Sequence, residues 1–205
     1  MGWYDRHVVP LMIDLACSTK PVRKQREKIV PRAQGDVLEI GIGSGLNLPH
    51  YDRERVTHVW GLEPSEEMRD KARRRLETNP LPLDFIDLPG EQIPLDDNSV
   101  DTVLLTYTLC TIPDPLAALE GMRRVLKPGG VLLFCEHGRA PDASVQKWQD
   151  RLNGTWCRLA GGCNMNRDIP SLLQEGGFTI LDEERMYIPG LRVLSYNYWG
   201  AARAQ

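Results

Sequence analysis

The chain has 205 residues, 41% of them hydrophobic and 26% charged, with a formal net charge of −3. That length supports one domain with a sizeable core and excludes wholesale disorder. The slight acidity argues against a protein that works by gripping nucleic-acid backbone, and no apolar run approaches the ~20 residues of a spanning helix.

Five cysteines (Cys17, Cys110, Cys135, Cys157 and Cys163) are scattered and form no C-x-x-C pair. Reduced thiols are expected, with no metal site and no disulfide framework. Asp5, Arg6 and His7 precede any apolar run, so no signal peptide is expected and the setting reads as cytoplasmic.

At the start of the chain, Val8, Val9, Leu11, Met12, Leu15 and Ala16 have partial helical spacing, with Pro10 near a helix start. Lys20, Arg23, Lys24, Arg26, Lys28 and Arg32 then form a basic cluster offset by Glu27 alone. It reads as a solvated helix face, or as a surface for anionic lipid or an anionic substrate.

Residues 36–40 hold Val37, Leu38 and Ile40, the pattern of a buried parallel strand. Gly41-x-Gly43-x-Gly45 follows where strand hands over to helix. Glycines there permit positive φ and close approach of a ligand to the backbone. Taken alone, the motif also suits a tight turn with no ligand. A helix is expected from about Asn47, with Pro49 in its first turn. A second strand over 56–62 ends in Glu63-Pro64, about 20 residues beyond the glycines, where a carboxylate suits a ribose diol. Leu46 stands where a dinucleotide fingerprint needs glycine, and Glu39 would repel a pyrophosphate but suits a cationic or amino-bearing ligand.

Glu39-x-Gly41-x-Gly43-x-Gly45 with Glu63 resembles the S-adenosylmethionine site of class I methyltransferases. Residues 91–101 (Glu91-Gln-Ile-Pro-Leu-Asp-Asp-Asn-Ser-Val-Asp101) and Leu126-Lys127-Pro128-Gly129-Gly130 continue the likeness across roughly 36–137. The resemblance implies a Rossmann-like α/β fold: a seven-stranded, mostly parallel sheet with helices on both faces and an antiparallel C-terminal hairpin. It implies S-adenosylmethionine as cofactor and S-adenosylhomocysteine as product. One domain is expected over 1–205: a helical lid at 1–34, a cofactor core at 36–137, and substrate-side helices and hairpin at 138–205. In the family the N-terminal helices fold over the cofactor, which implies a covering role for Trp3 and Tyr4; core packing is an equal account of them.

Ser65 is an expected N-cap with acids in the first turn, and Met68, Ala72 and Leu76 face the sheet. Met68 could also border adenine. Leu83, Phe85 and Ile86 make strand three. The loop after it holds adenine in the family, but Pro89 stands where Asp or Ser is common. The Gly90 amide and Glu91 are the expected contacts, with Asp87 in reserve. A buried strand over 100–105 leads to Thr106, Tyr107, Thr108, Leu109 and Cys110, which should floor the methyl-transfer site at the carboxyl ends of the strands. Pro115 opens an amphipathic helix, and strand five covers 131–135, before Glu136-His137.

Trp148, Leu152, Trp156 and Leu159 suggest a helix from about Ser144, broken by Gly161-Gly162. A short helix over 169–176 and a hairpin of 178–187 with 191–201 around Pro189-Gly190 close the chain. Glu136-His137, Trp148-Gln149, Trp156, Gly162-Cys163-Asn164-x-x-Arg167 and Leu109-Cys110-x-Ile112-Pro113-Asp114 also resemble the thiol S-methyltransferases of animals and bacterial phospholipid N-methyltransferase-like proteins.

That likeness implies in-line methyl transfer to a small or lipophilic acceptor, foremost a thiol. The alternatives are an amine such as a phospholipid head group, with weak contact to a membrane surface, and a non-catalytic nucleoside-binding module. A thiol must lose its proton, so His137 is the expected base, or else a packed structural histidine. Cofactor contacts are expected from Glu39, Gly41, Gly43, Gly45, Asn47, Glu63, Pro64, Met68, Gly90, Glu91 and Thr106. Substrate contacts are expected from Tyr4, Thr108, Cys110, Cys163 and Arg167; Arg167 and Asn166 could instead anchor their own loop, and the two cysteines could be small hydrophobes.

Overall fold

The structure is a computed structural model describing residues 9–205. Its strands are β1 (Gly35–Ile40), β2 (Val56–Leu62), β3 (Leu83–Ile86), β4 (Val100–Thr106), β5 (Leu126–His137), β6 (Phe178–Tyr187) and β7 (Tyr196–Ala204). They form one sheet in the order β3-β2-β1-β4-β5-β7-β6. Pairs from β3 to β5 are parallel, and β7 runs antiparallel to both β5 and β6. The order reverses direction between β1 and β4, the place where open α/β sheets leave a crevice at the strands' carboxyl ends. The expected fold class is therefore the observed one.

The helices are α1 (Val9–Cys17), α2 (Lys20–Ile29), α3 (Glu66–Thr78), α4 (Pro115–Val125), α5 (Ala143–Leu159) and α6 (Ile169–Glu175). Strand alternation divides the core between two faces. Val103 and Leu105 of β4 pack with Leu119, Met122 and Phe134 on one side. Leu104 between them packs with Ile29, Val37, Val59 and Leu133 on the other. Each such fully buried side chain contributes about 1.5–3 kcal/mol.

Sequence blocks far from the site also find their reason. Lys127 Nζ reaches Asp101 at 2.8 Å and Asp36 at 3.2 Å. Asp101 in turn accepts from the Asp36 amide at 2.9 Å. These groups tie together the amino ends of β1, β4 and β5, opposite the crevice.

Several boundaries differ from expectation. The helix expected after Asn47 is a single 3-10 turn, Leu48–His50, which stops where Tyr51 takes an extended backbone conformation. β5 starts at Leu126, since Leu126 already pairs with Val100 before the Lys127–Gly130 turn shifts the register. β7 starts at Tyr196 and not at 191; residues 191–195 form the turn that reaches over the crevice. The basic cluster of 20–32 is divided, with Lys20, Arg23 and Lys24 exposed and the others engaged by the protein. Arg32 forms a paired contact with Asp182, Lys28 lies 3.7 Å from the Trp199 ring centre, and Arg26 is buried. On α5 the apolar stripe Trp148, Leu152 and Leu159 faces outward, while Gln149 is fully buried and bridges Gly138, Ala140, Met165 and Val193.

Candidate active site

The glycine loop follows β1. Gly41, Gly43 and Gly45 have φ of +68°, +56° and +80°. A Cβ on Gly41 would lie 2.5 Å from Thr108 Cγ2, so side chains are excluded there by space as well as by backbone. A Cβ on Gly43 would meet the Met68 methyl at 3.6 Å, which places Met68 beside the loop. Glu63 stands at the tip of β2. Its Oε2 accepts from the Gly43 amide at 3.2 Å and its Oε1 from the Ser65 amide at 2.8 Å. Burial raises its pKa, against the pull of those two amides. Each oxygen keeps a lone pair for a hydroxyl. Loop and acid thus fit a nucleoside sulfonium ligand: open backbone on one side, a diol acceptor on the other.

Beneath the loop lies a buried polar network. Glu39, 1% exposed, accepts from Asn47 Nδ2 at 2.8 Å and Tyr51 OH at 2.7 Å. Asn47 Nδ2 also meets Thr106 Oγ1 at 2.9 Å, and Arg26 Nη1 donates to Asn47 Oδ1 at 2.8 Å and Thr106 Oγ1 at 2.6 Å. Burial raises the Glu39 carboxyl, countered by the Tyr51 and Asn47 bonds and the Arg26 charge. Glu39, Asn47 and Thr106 therefore brace the loop, and their polar atoms are occupied with one another. Ser44 Oγ binds Asp14 of α1, and Arg75 joins the same carboxylate, so α1 is latched to the glycine loop.

The loop expected to meet adenine is also tied. Asp87 pairs with Arg69, and Glu91 Oε1 accepts from the Asp114 amide at 3.2 Å. Gly90 is buried, and a Cβ there would sit 3.0 Å from Ile112 Cδ1. Pro64 is exposed.

Across the crevice, a cavity of about 250 Å³ opens at the ends of β4 and β5. Its walls include Ile13 and Ala16 from α1, Tyr107 after β4, Trp156 from α5 and Leu194 before β7. Cys110, His137 and Cys163 form its soft polar wall. No Asp or Glu is among the described residues lining it. Tyr107 has φ of +56°, a left-handed conformation rare outside glycine. That turn brings its ring to the cavity, where its OH donates to Asn197 Oδ1 at 2.6 Å.

His137 Nε2 lies 3.3 Å from Cys163 Sγ. The Cys163 thiol is lowered, first by its hydrogen bond with Cys110 and then by His137, against burial. Cys110 is pushed well up by that same hydrogen bond and by burial. Burial alone would lower His137, but the Cys163 sulfur offsets it and leaves the imidazole raised. Glu136 faces the other way. Burial pushes it to about 7, although its Oε1 accepts from the Thr108 and Leu109 amides at 2.8 and 3.1 Å.

Of the expected substrate residues, the cavity gathers Cys110 and Cys163 with His137. Thr108 sits against Gly41 instead, between the two halves. Arg167 donates to the Leu109 carbonyl and so anchors its loop. Tyr4 and Trp3 lie outside the described residues. The expectation of no metal site rested on the missing C-x-x-C. That spacing argument does not reach residues on separate elements: Cys110, His137 and Cys163 have ligand atoms within 4.8 Å of one another. Residues missed from sequence include Arg26, Tyr51 and Glu136, whereas Tyr107 was expected on the floor of the site and lines the cavity. Only Arg26 left a signal, since it shares its helical face with Val22 and Ile29.

Comparison with known proteins agrees with this geometry. A family model described as a methyltransferase domain matches residues 38–134. The human thiol S-methyltransferase TMT1B is 34% identical over 158 residues, 75% of this chain and 64% of that protein. The phosphatidylethanolamine N-methyltransferase of Cereibacter sphaeroides is 32% identical over 143 residues, 67% of this chain and 69% of that one. A solved Leishmania major structure, described as a SAM-dependent methyltransferase, superposes with a TM-score of 0.71 at 17% identity, over 98% of this chain and 80% of that one. The chain thus spans less than two thirds of the human relative's length. No helix among the described residues is long and apolar enough to cross a membrane.

Proposed function

The chain belongs to the class I S-adenosylmethionine-dependent methyltransferases, and on that premise we propose that it methylates a small lipophilic thiol. The observation that carries this reading is the mostly apolar cavity whose wall includes the cluster of Cys110, His137 and Cys163. An amine acceptor that enters as an ammonium ion asks for a carboxylate, and the described lining holds none. A neutral thiol enters without that demand and becomes nucleophilic once its proton leaves.

S-adenosylmethionine supplies an electrophilic methyl on a sulfonium. Glu63 would take the ribose hydroxyls, and the open backbone of Gly41 to Gly45 would admit the amino-acid end. Arg26, Asn47, Tyr51 and Glu39 keep that loop in place. Tyr107 and Trp156 exclude water and hold the acceptor. The acceptor's proton leaves at the Cys110–His137–Cys163 wall, where the cavity can take it up or steady the resulting thiolate.

The amine reading keeps one observation in its favour. Leu191 at the cavity and Leu15 on α1 are 72% and 73% exposed, a surface a lipid could cover. Incubation with S-adenosylmethionine and matched thiols, amines, phenols and phospholipid vesicles separates the readings, followed by mass spectrometry of both products. Turnover on thiols alone is expected. Turnover confined to amines or phospholipids would overturn the thiol assignment. Cofactor bound with no S-adenosylhomocysteine formed would make the chain a binding module.

A further inference from the structure

We propose that Cys110, His137 and Cys163 form a zinc site whose open fourth position receives the acceptor sulfur. The three ligand atoms lie within 4.8 Å of one another. Zn–S distances of about 2.3 Å and Zn–N of about 2.0 Å put tetrahedral ligand atoms roughly 3.3–3.8 Å apart. The His137 Nε2 to Cys163 Sγ distance is 3.3 Å, within about 0.3 Å of the N···S separation such a site needs. Two thiols and an imidazole are a soft to borderline donor set, suited to zinc and not to magnesium or calcium. Three protein ligands with a vacant position is also the pattern of metal sites that act on a substrate.

The donors are held as a set. The Asn164 amide and Nδ2 both donate to the Cys110 carbonyl, at 2.9 and 3.1 Å, which staples the Cys163 loop to the Cys110 loop. Asn164 Oδ1 accepts from Asn153 Nδ2 of α5 at 3.0 Å. His137 is fixed by the pairing of β5 with β7, opposite Asn197. The side not taken up by protein donors is the 250 Å³ cavity itself, so a fourth ligand would come from whatever fills it.

The site stands on geometry alone; its use by an acceptor thiol rests on the thiol reading above. A coordinated thiol gives up its proton to solvent and is held as thiolate at neutral pH. In the transfer, the acceptor sulfur forms a bond to the methyl carbon. The sulfonium–methyl bond breaks, and its electron pair remains on the cofactor sulfur. The neutral thioether product is a weaker ligand and leaves. With zinc in place His137 is a ligand, and the acceptor needs no separate base.

The test uses the full chain, reduced and stripped with a chelator, titrated with Zn²⁺ against a chromophoric competitor and separately with Co²⁺. One equivalent is expected to bind, with thiolate-to-cobalt charge-transfer bands and four-coordinate visible bands. Cys163→Ser and Cys110→Ser should each weaken Zn²⁺ about 100-fold or more, with circular dichroism reporting whether they fold. Cys157→Ser, outside the cluster, should change nothing. Thiophenol added to the cobalt form should shift the visible bands. Absence of tight binding, or binding indifferent to both serine variants, overturns the site. Bands unmoved by thiophenol overturn acceptor coordination. Full-rate thiol methylation by metal-free protein overturns this inference and leaves the thiol reading standing. Band shifts without any thiol turnover leave the metal site standing and sink the thiol reading.

Discussion

The glycine loop and the cysteine–histidine wall face each other across one crevice, but they are assembled differently. The loop is local: Gly41, Gly43 and Gly45 lie within five residues, and Glu63 comes from the adjacent strand. The wall takes Cys110, His137 and Cys163 from three elements, each 26 or 27 residues from the next. The loop is stiffened from below by a buried polar network. The wall is lined by apolar side chains, with its donors turned toward an open volume. A shared cofactor needs the first kind of construction, and a particular acceptor needs the second.

Breaking the network should cost the most. Glu39→Leu leaves the Tyr51 hydroxyl and an Asn47 N–H without acceptors, and should lower stability by about 2–4 kcal/mol, read as the urea midpoint. An unchanged midpoint would show that the loop is not braced from below. Next comes the wall. His137→Gln should reduce thiol turnover about 100-fold while leaving cofactor affinity in place. If calorimetry finds both lost together, the two halves are not separable.

Glu63→Ala should weaken cofactor binding by about 1–3 kcal/mol, the range for losing charged hydrogen-bond partners. Equal affinities for variant and parent would remove the ribose assignment. Arg32→Ala should matter least. Its paired contact with Asp182 is half-exposed, and such pairs contribute about 0.2–1 kcal/mol. A larger fall in melting temperature would mean that the docking of α2 on the terminal hairpin controls folding.

The comparison also separates what was legible beforehand. The glycine spacing, the acid after β2 and the proline-started helix α4 were readable because each depends on neighbours in sequence: a backbone that must turn, a strand that must end, a helix that must be capped. The amino-end clamp of Lys127 on Asp36 and Asp101 lay inside recognisable blocks, though its structural purpose did not. Arg26 was concealed in a run of like charges. A charge run reads as solvated because burying one member alone is costly; here Asn47 and Thr106 offset that cost from a distance.

By itself the sequence determined the strand order's raw material, the positions free of side chains, and the acid at the tip of β2, because these follow from local backbone sterics and hydrophobic period. Only the tertiary structure decided which face of α5 is buried, where Tyr107 turns its ring, and that two scattered cysteines meet one histidine. Those outcomes depend on how the chain's loops converge at the carboxyl ends of β4 and β5. No spacing along a chain encodes a meeting of residues on separate elements, since the distance between them is set by the packing of everything in between.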